Sequence, residues 1–382
     1  MEPKERGRWI RSPHPRHSEG GFDGRRSAEP AAGNTGDQQW SLGKVLHVAY
    51  VLSTVHRMSR GGRSRQSTSV RWVSLGGTLQ SSGHDPLDFD RYFMTGREVA
   101  LEQLLADIGE SPDSVVVDPL PPRPSHDLLP TDVLELAEYL HSCPEEATVV
   151  TCGSNGIEEL AYLLWLVLPR SAPVILTAAM RPPTAVGTDA LHNLAAAFTV
   201  ARAERLRGHS VLLVSNGVIL HPTQALKMHT YSIAAFTDSA PPYGTVCPGG
   251  VVAIYRAPLI SPWGGRAIPQ KLARVDVVTS VMGSDGASIS GAVESGARGI
   301  VSAGTGAGFP TSAEKAELMR AVDAGVVVCR SRRTPLGEVA EGEPRWLSSG
   351  ALTPQKARLA LGLGLEVRAS LPEIQELLLH TP

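Results

Sequence analysis

From Val70 onward the chain alternates short apolar runs, often β-branched, with longer amphipathic stretches, and this restricts the fold more than any other feature. Runs at Val70–Leu75, Ser114–Asp118, Thr148–Cys152, Val174–Ala178, Ser210–Ser215 and Val251–Tyr255 predict strands. Glu98–Ile108, Thr131–His141, Ile157–Leu168 and Asp189–Arg205 predict helices between them, with Thr131 and Asp189 as capping residues. Strand and helix in turn imply a largely parallel sheet covered by helices. Arg256 to Leu272 contains several Pro and Gly with weak periodicity and reads as a linker. A smaller set follows, with strands at Arg274–Ser280, Gly299–Ala303 and Val326–Arg330. Its helices are expected at Ser312–Ala324, Pro354–Leu361 and Pro372–Leu379, with Thr353 capping the second and Pro354 in its first turn. The expected class is α/β, a larger N-terminal parallel-sheet domain over residues 69–255 and a smaller C-terminal α/β domain over 273–382, joined by 256–272.

Residues 1–68 are rich in Arg, Gly, Ser, Pro and Glu and have no hydrophobic period, which predicts a disordered extension. Met58 offers a second reading, a true start close to the first strand, and it is favoured because nothing upstream carries chemistry. The net charge of −2 hides an asymmetry. Residues 1–70 hold 12 Lys+Arg against 6 Asp+Glu, so the rest carries a net −8. An acidic body argues against nucleic acid as a partner. Cys143, Cys152, Cys247 and Cys329 have neither paired nor metal-like spacing and fit free thiols in a reducing compartment. No apolar stretch is long enough to span a bilayer, and the mildly apolar Val45–Val55 makes a poor signal peptide. The expected location is the cytoplasm, with no membrane partner.

Two strings carry the chemistry. Val73-Ser74-Leu75-Gly76-Gly77-Thr78-Leu79 runs from a strand through a double glycine to a hydroxyl. Val149-Val150-Thr151-Cys152-Gly153-Ser154-Asn155-Gly156-Ile157 runs from a strand through a glycine and a hydroxyl into a helix. Each sets a hydroxyl at the carboxyl end of a strand, where open α/β sheets bind ligands. Gly77 and Gly153 would let the backbone approach a small substrate closely. By residue type alone, Thr78 reads equally as a turn cap and as a nucleophile, and Ser154 equally suits a plain helix N-cap.

As a pair these strings resemble the bacterial-type L-asparaginases, amidohydrolases with a reactive threonine on each of two such turns. The resemblance runs from about Arg71 to the C-terminus. Ala178-Ala179-Met180-Arg181-Pro182 is similar to the family's Gly-Ala-Met-Arg-Pro, and Arg330-Ser331-Arg332-Arg333 to its Arg-Ser-Ser-Arg. Gly350-Ala351-Leu352-Thr353-Pro354-Gln355-Lys356-Ala357-Arg358 resembles its Gly-x-Leu-x-Pro-Gln-Lys-Ala-Arg.

The resemblance implies an asparaginase that converts L-asparagine to L-aspartate and ammonia. Thr78 would be the nucleophile, Ser154 the second hydroxyl, and Lys227 the proton-transfer group. A lysine at that position is notable in a chain with 6 lysines and 30 arginines, since arginine could not give up its proton. Asn155 stands where the family has an aspartate that binds the substrate's ammonium group. Ser125 and, second to it, His126 match the loop that touches the substrate carboxylate, and Tyr92 matches a tyrosine that orders the first threonine. No cofactor is implied, and the implied assembly is a homodimer or homotetramer. The loss of charge at Asn155 leaves two alternatives, an amidase with a changed substrate and a silent binding protein of the same fold. Gly304-Thr305-Gly306-Ala307-Gly308 only weakly matches a dinucleotide loop, since Phe309 stands where the third glycine belongs and no acidic ribose reader follows at the right distance. His221 and His229 lack a third ligand at metal spacing, so no metal is expected.

Overall fold

The β-branched runs become strands buried on both faces. The computed structural model describes residues 69–380 apart from 121–122, 144–146, 170–172 and 239–240, so the expected extension over 1–68 lies outside the described residues. The first five strands are β1 (Val70–Ser74), β2 (Val115–Pro119), β3 (Thr148–Thr151), β4 (Val174–Thr177) and β5 (Val211–Ser215). They lie parallel in the order β2-β1-β3-β4-β5. Every residue of β3, β4 and β5 is buried, as continuous apolar runs require in a sheet covered on both sides.

Beyond β5 the sheet departs from the expected parallel pattern. Short strands β6 (Val218–Leu220), β7 (Ala225–Lys227), β8 (Phe236–Asp238), β9 (Gly244–Cys247) and β10 (Val251–Ile254) follow. β6, β9 and β10 extend the sheet antiparallel to eight strands, while β7 and β8 form a separate ribbon. The reversal happens at Asn216-Gly217, whose φ angles of 49° and 74° are those of a type I′ hairpin turn. Asn193 Oδ1 accepts the Asn216 N–H at 2.7 Å and pins that turn to the helix beside it.

Helices α1 (Leu101–Asp107), α2 (Pro130–His141), α3 (Ile157–Val167) and α4 (Ala190–Ala201) cover the sheet. Two expected caps need correction. α2 starts before Thr131, with Leu129 at the N-cap position and its N–H taken by Asp132 Oδ2 at 2.8 Å. Asp189 does precede α4, but its carboxylate turns back to the N–H groups of Met180 and Arg181 at 3.0 and 2.9 Å. It also accepts from Asn193 Nδ2 at 2.9 Å, and burial holds its pKa above the usual carboxylate value. The aspartate therefore ties the end of β4 to α4 and caps no helix.

The second sheet, wholly parallel, contains β11 (Val275–Thr279), β12 (Gly299–Gly304), β13 (Val327–Arg332) and β14 (Leu347–Ser348). Its helices are α5 (Ala287–Glu294), α6 (Ser312–Asp323), α7 (Pro354–Glu366) and α8 (Leu371–Leu379). α5 and β14 were not expected; a Gly- and Ser-bearing helix of two turns and a strand of two residues leave no period to read. Thr353 takes the N-cap position of α7, yet its hydroxyl makes no capping bond. One apolar core runs through both sheets, joining Leu160 and Leu164 of α3 to Val275, Val301, Leu359 and Leu363. That position explains why α3 is apolar nearly all round. No helix among the described residues is long and apolar enough to cross a membrane.

His221, between β6 and β7, is buried with its ring edge-on to Trp165 and its Nδ1 2.8 Å from Thr223 Oγ1. Burial, reinforced by nearby cations, pushes its pKa down from 6.5 to about 3. Below 6.5 the unfolded chain takes up a proton that the folded chain refuses. The stabilisation is complete above that value and is lost as pH falls toward about 3. This group alone should cost about 1.4 kcal/mol of stability per pH unit within the window. Urea midpoints at pH 7 and pH 5 should therefore diverge more for the native chain than for His221→Gln. Equal pH dependence in the two would refute the assignment.

Candidate active site

Pairing of β1 with β3 brings the two sequence strings together. Trp72 lies opposite Val149 and Ser74 opposite Thr151, and Leu75 N–H donates to Thr151 O at 2.8 Å. Both segments then leave the sheet at its carboxyl end. Gly77 has φ +93°, and a Cβ there would stand 2.5 Å from the Gly153 nitrogen. A Cβ on Gly153 would in turn stand 2.5 Å from Ser125 Oγ, so neither glycine turn has room for a side chain where the three segments meet. Beneath them Trp72 Nε1 donates to Thr151 Oγ1 at 3.0 Å, Thr151 Oγ1 to Ser74 Oγ at 3.4 Å, and Ser74 Oγ to Gln80 Oε1.

Thr78 opens a short 3-10 turn over Thr78–Gln80 and is nearly buried. Its Oγ1 lies 2.9 Å from the Tyr92 hydroxyl, which a second 3-10 turn, Tyr92–Met94, carries across the loop. Ser154 and Asn155 follow Gly153 just before α3. Lys227, at the end of β7, donates from Nζ to Ser154 Oγ at 2.9 Å and to Asn155 Oδ1 at 3.0 Å. Burial lowers the pKa of this half-buried lysine, and the Glu158 carboxylate opposes the shift. Ser125 Oγ accepts the N–H groups of Asn155 and Gly156 at 3.2 and 3.3 Å. It holds the second turn from below.

Thr78, Tyr92, Gly77, Gly153, Ser125, Ser154, Asn155 and Lys227 thus converge from five separate stretches of chain. His126 stands exposed, 3.8 Å from Asp127, and Ser125 makes the loop's contact with the turn. The glycine string after β12 closes on itself, Thr305 N–H donating to Phe309 O at 2.8 Å, with Arg330 Nε on Gly308 O at 2.8 Å. Among the described residues no cluster of His, Cys, Asp or Glu could hold a metal ion. All four cysteines are free, and burial pushes the Cys152 thiol up to about 12, where it is inert. A cleft of about 400 Å³ runs past Lys227 between the two sheets, lined in part by Glu158, Thr279, Arg333, Thr353 and Gln355. The Gly350–Arg358 motif contains Gln355 and Lys356 without pointing to their contacts with Glu158 and with the Lys227 segment. The scarcity of lysine was a signal that could have marked Lys356.

Two family models match the chain. Residues 69–259 match the asparaginase N-terminal domain, and residues 274–378 match the glutaminase/asparaginase C-terminal domain. The chain belongs to the asparaginase family. It is 28% identical over 336 residues to L-asparaginase 2 of Escherichia coli, covering 84% of this chain and 95% of that one. A glutaminase-asparaginase of Pseudomonas aeruginosa is also 28% identical, over 87% of this chain and 96% of its own. The crystal structure of a probable cytoplasmic L-asparaginase from Campylobacter jejuni superposes with a TM-score of 0.75 at 25% identity. It covers 82% of this chain and 100% of that one.

Proposed function

We propose that this asparaginase-family protein hydrolyses L-asparagine to L-aspartate and ammonia through Thr78. One observation carries the reading: on adjacent strands, one hydroxyl is held by a phenol and the next by a desolvated lysine. Thr78 Oγ1 would attack the carboxamide carbon while its proton leaves toward the Lys227–Ser154 pair. Backbone amides of the two turns would stabilise the oxyanion. The C–N bond then breaks, and the nitrogen leaves as ammonia with the proton returned to it. Water attacks the resulting ester in the second half, giving up one proton through the same lysine, so that L-aspartate departs and Thr78 is restored. Tyr92 would keep a lone pair of Thr78 aimed at the substrate, and Ser125 would hold the turn that receives the α-carboxylate. A homodimer or homotetramer fits the family and the exposed Met228 and Tyr231 beside Lys227. Light scattering of the purified chain tests it. The cytoplasm remains the proposed compartment, with neither nucleic acid nor membrane as a partner.

Asn155 favours a second reading, an amidase that does not need an α-ammonium. Its side-chain oxygen already accepts from Lys227, and it carries no charge to offer the substrate. A charge-assisted bond contributes about 1–2 kcal/mol more than a neutral one. Asn155→Asp should therefore lower KM for L-asparagine by about tenfold. Succinamate, which lacks the ammonium, should gain little. The new carboxylate would also face Lys227 Nζ and raise its pKa, moving the acid limb of kcat/KM to higher pH. Ammonia release from L-asparagine, L-glutamine and succinamate separates the readings. Preference for succinamate supports the changed amidase, and no release from any of them supports a silent binding protein.

A further inference from the structure

The string that opens α7 contains more than a helix start requires. Thr353 and Pro354 suffice for that, and Gln355 and Lys356 remain to be explained. Both reach out of the second sheet's domain toward the strand that carries Lys227. β7 and β8 form a ribbon of three-residue strands outside both large sheets, and such a ribbon is marginal by itself. Met228 N–H donates to Ala235 O at 2.7 Å, so Met228 faces β8. By the alternation of an antiparallel ladder, Ala225 and Lys227 turn their backbone groups the other way.

Charged side chains take that edge in place of a neighbouring strand. Lys356 Nζ donates to Ala225 O at 2.6 Å and to Thr223 O at 3.4 Å. Glu158 Oε2 accepts the Lys227 N–H at 3.1 Å, and Gln355 Nε2 donates to Glu158 Oε1 at 3.2 Å. Lys356 is fully buried, and an ammonium is costly to remove from water. An apolar side chain would fill the same volume and continue the same helix, but it would leave the Thr223 and Ala225 carbonyl groups, in the segment that carries Lys227, without these donors. We propose that Glu158 and Lys356 are positioning residues that set where Lys227 Nζ stands between Ser154 and Asn155, the C-terminal domain thereby completing the site. The inference rests on the reading of Lys227 as the proton-transfer group.

Three variants of the full chain test it, Glu158→Gln, Lys356→Met and Lys227→Met. The readouts are kcat and KM for L-asparagine across pH, and the pH midpoint for acylation of Lys227 by an amine-reactive anhydride, read by peptide mass spectrometry. Glu158→Gln removes the charge that opposes burial, so the labelling midpoint and the acid limb of kcat/KM should both move to lower pH. A purely structural contact would move neither. Lys356→Met should lower kcat about tenfold or more while KM changes little, because a displaced base harms the reaction more than binding. An unmoved midpoint in Glu158→Gln, or an unchanged kcat in a folded Lys356→Met, overturns the positioning role while leaving Lys227 as the base. If Lys356→Met does not fold, the labelling midpoint in Glu158→Gln decides. Full activity in Lys227→Met overturns the base itself, and the positioning role falls with it.

Discussion

Thr78→Ala should abolish ammonia release from L-asparagine, with kcat lower by about 10⁴-fold or more, as loss of a nucleophile generally costs. The fold should survive. The Thr78 hydroxyl makes one side-chain hydrogen bond, to Tyr92, and its loss should cost about 1 kcal/mol. The chain path through the turn depends on Gly77 and Gly153 and on the Ser74–Gln80 bond, none of which the substitution touches. Turnover and melting temperature should be measured on the same preparation. Thr78→Ser should recover part of the rate, since it restores the oxygen without the rotamer restriction of the β-branched side chain. An alanine variant with activity within tenfold of the native enzyme would place the nucleophile elsewhere.

Lys227→Met should lower kcat by about 10²–10⁴-fold, the range of a lost general base. Burial holds this lysine below its ordinary pKa of 10.5, so the neutral amine is available at lower pH than for an exposed lysine. In the native enzyme kcat/KM should rise with pH as the amine loses its proton, and that limb should vanish in the variant. Lys227→Arg should not restore it, because a guanidinium keeps its proton and cannot act as a base. The backbone bond from Lys227 N–H to Glu158 survives either change, so β7 should stay in place. A methionine variant that keeps both its rate and its pH limb would exclude Lys227 from proton transfer.

The central strands and the two glycine turns were legible because each depends on neighbouring residues. Val149-Val150, Val174-Ile175-Leu176 and Val211-Leu212-Leu213-Val214 can satisfy their side chains only inside a sheet covered on both faces, and that is where they lie. The glycines beside Thr78 and Ser154 marked places where backbone meets backbone, as Gly77 and Gly153 do. The hairpin after β5 is equally local, written in Asn216-Gly217, whose residue types suit positive φ at both turn positions.

Other features depended on contacts that no local pattern encodes. Asp189 looked like a cap because aspartate suits a helix start, but buried amides of Met180 and Arg181 compete for its carboxylate and win. β7 is too short to display a period, and its place follows from Glu158 and Lys356, which lie far from it in the chain. By itself the sequence determined the α/β architecture, the parallel strands at its centre and the hydroxyls at their ends, because hydrophobic period and backbone freedom act over a few residues. Only the tertiary structure decided that β1 lies between β2 and β3, that Tyr92 reaches Thr78, and that the C-terminal domain holds the lysine strand. Those outcomes join distant segments, and which distant groups meet is settled by packing of the whole chain.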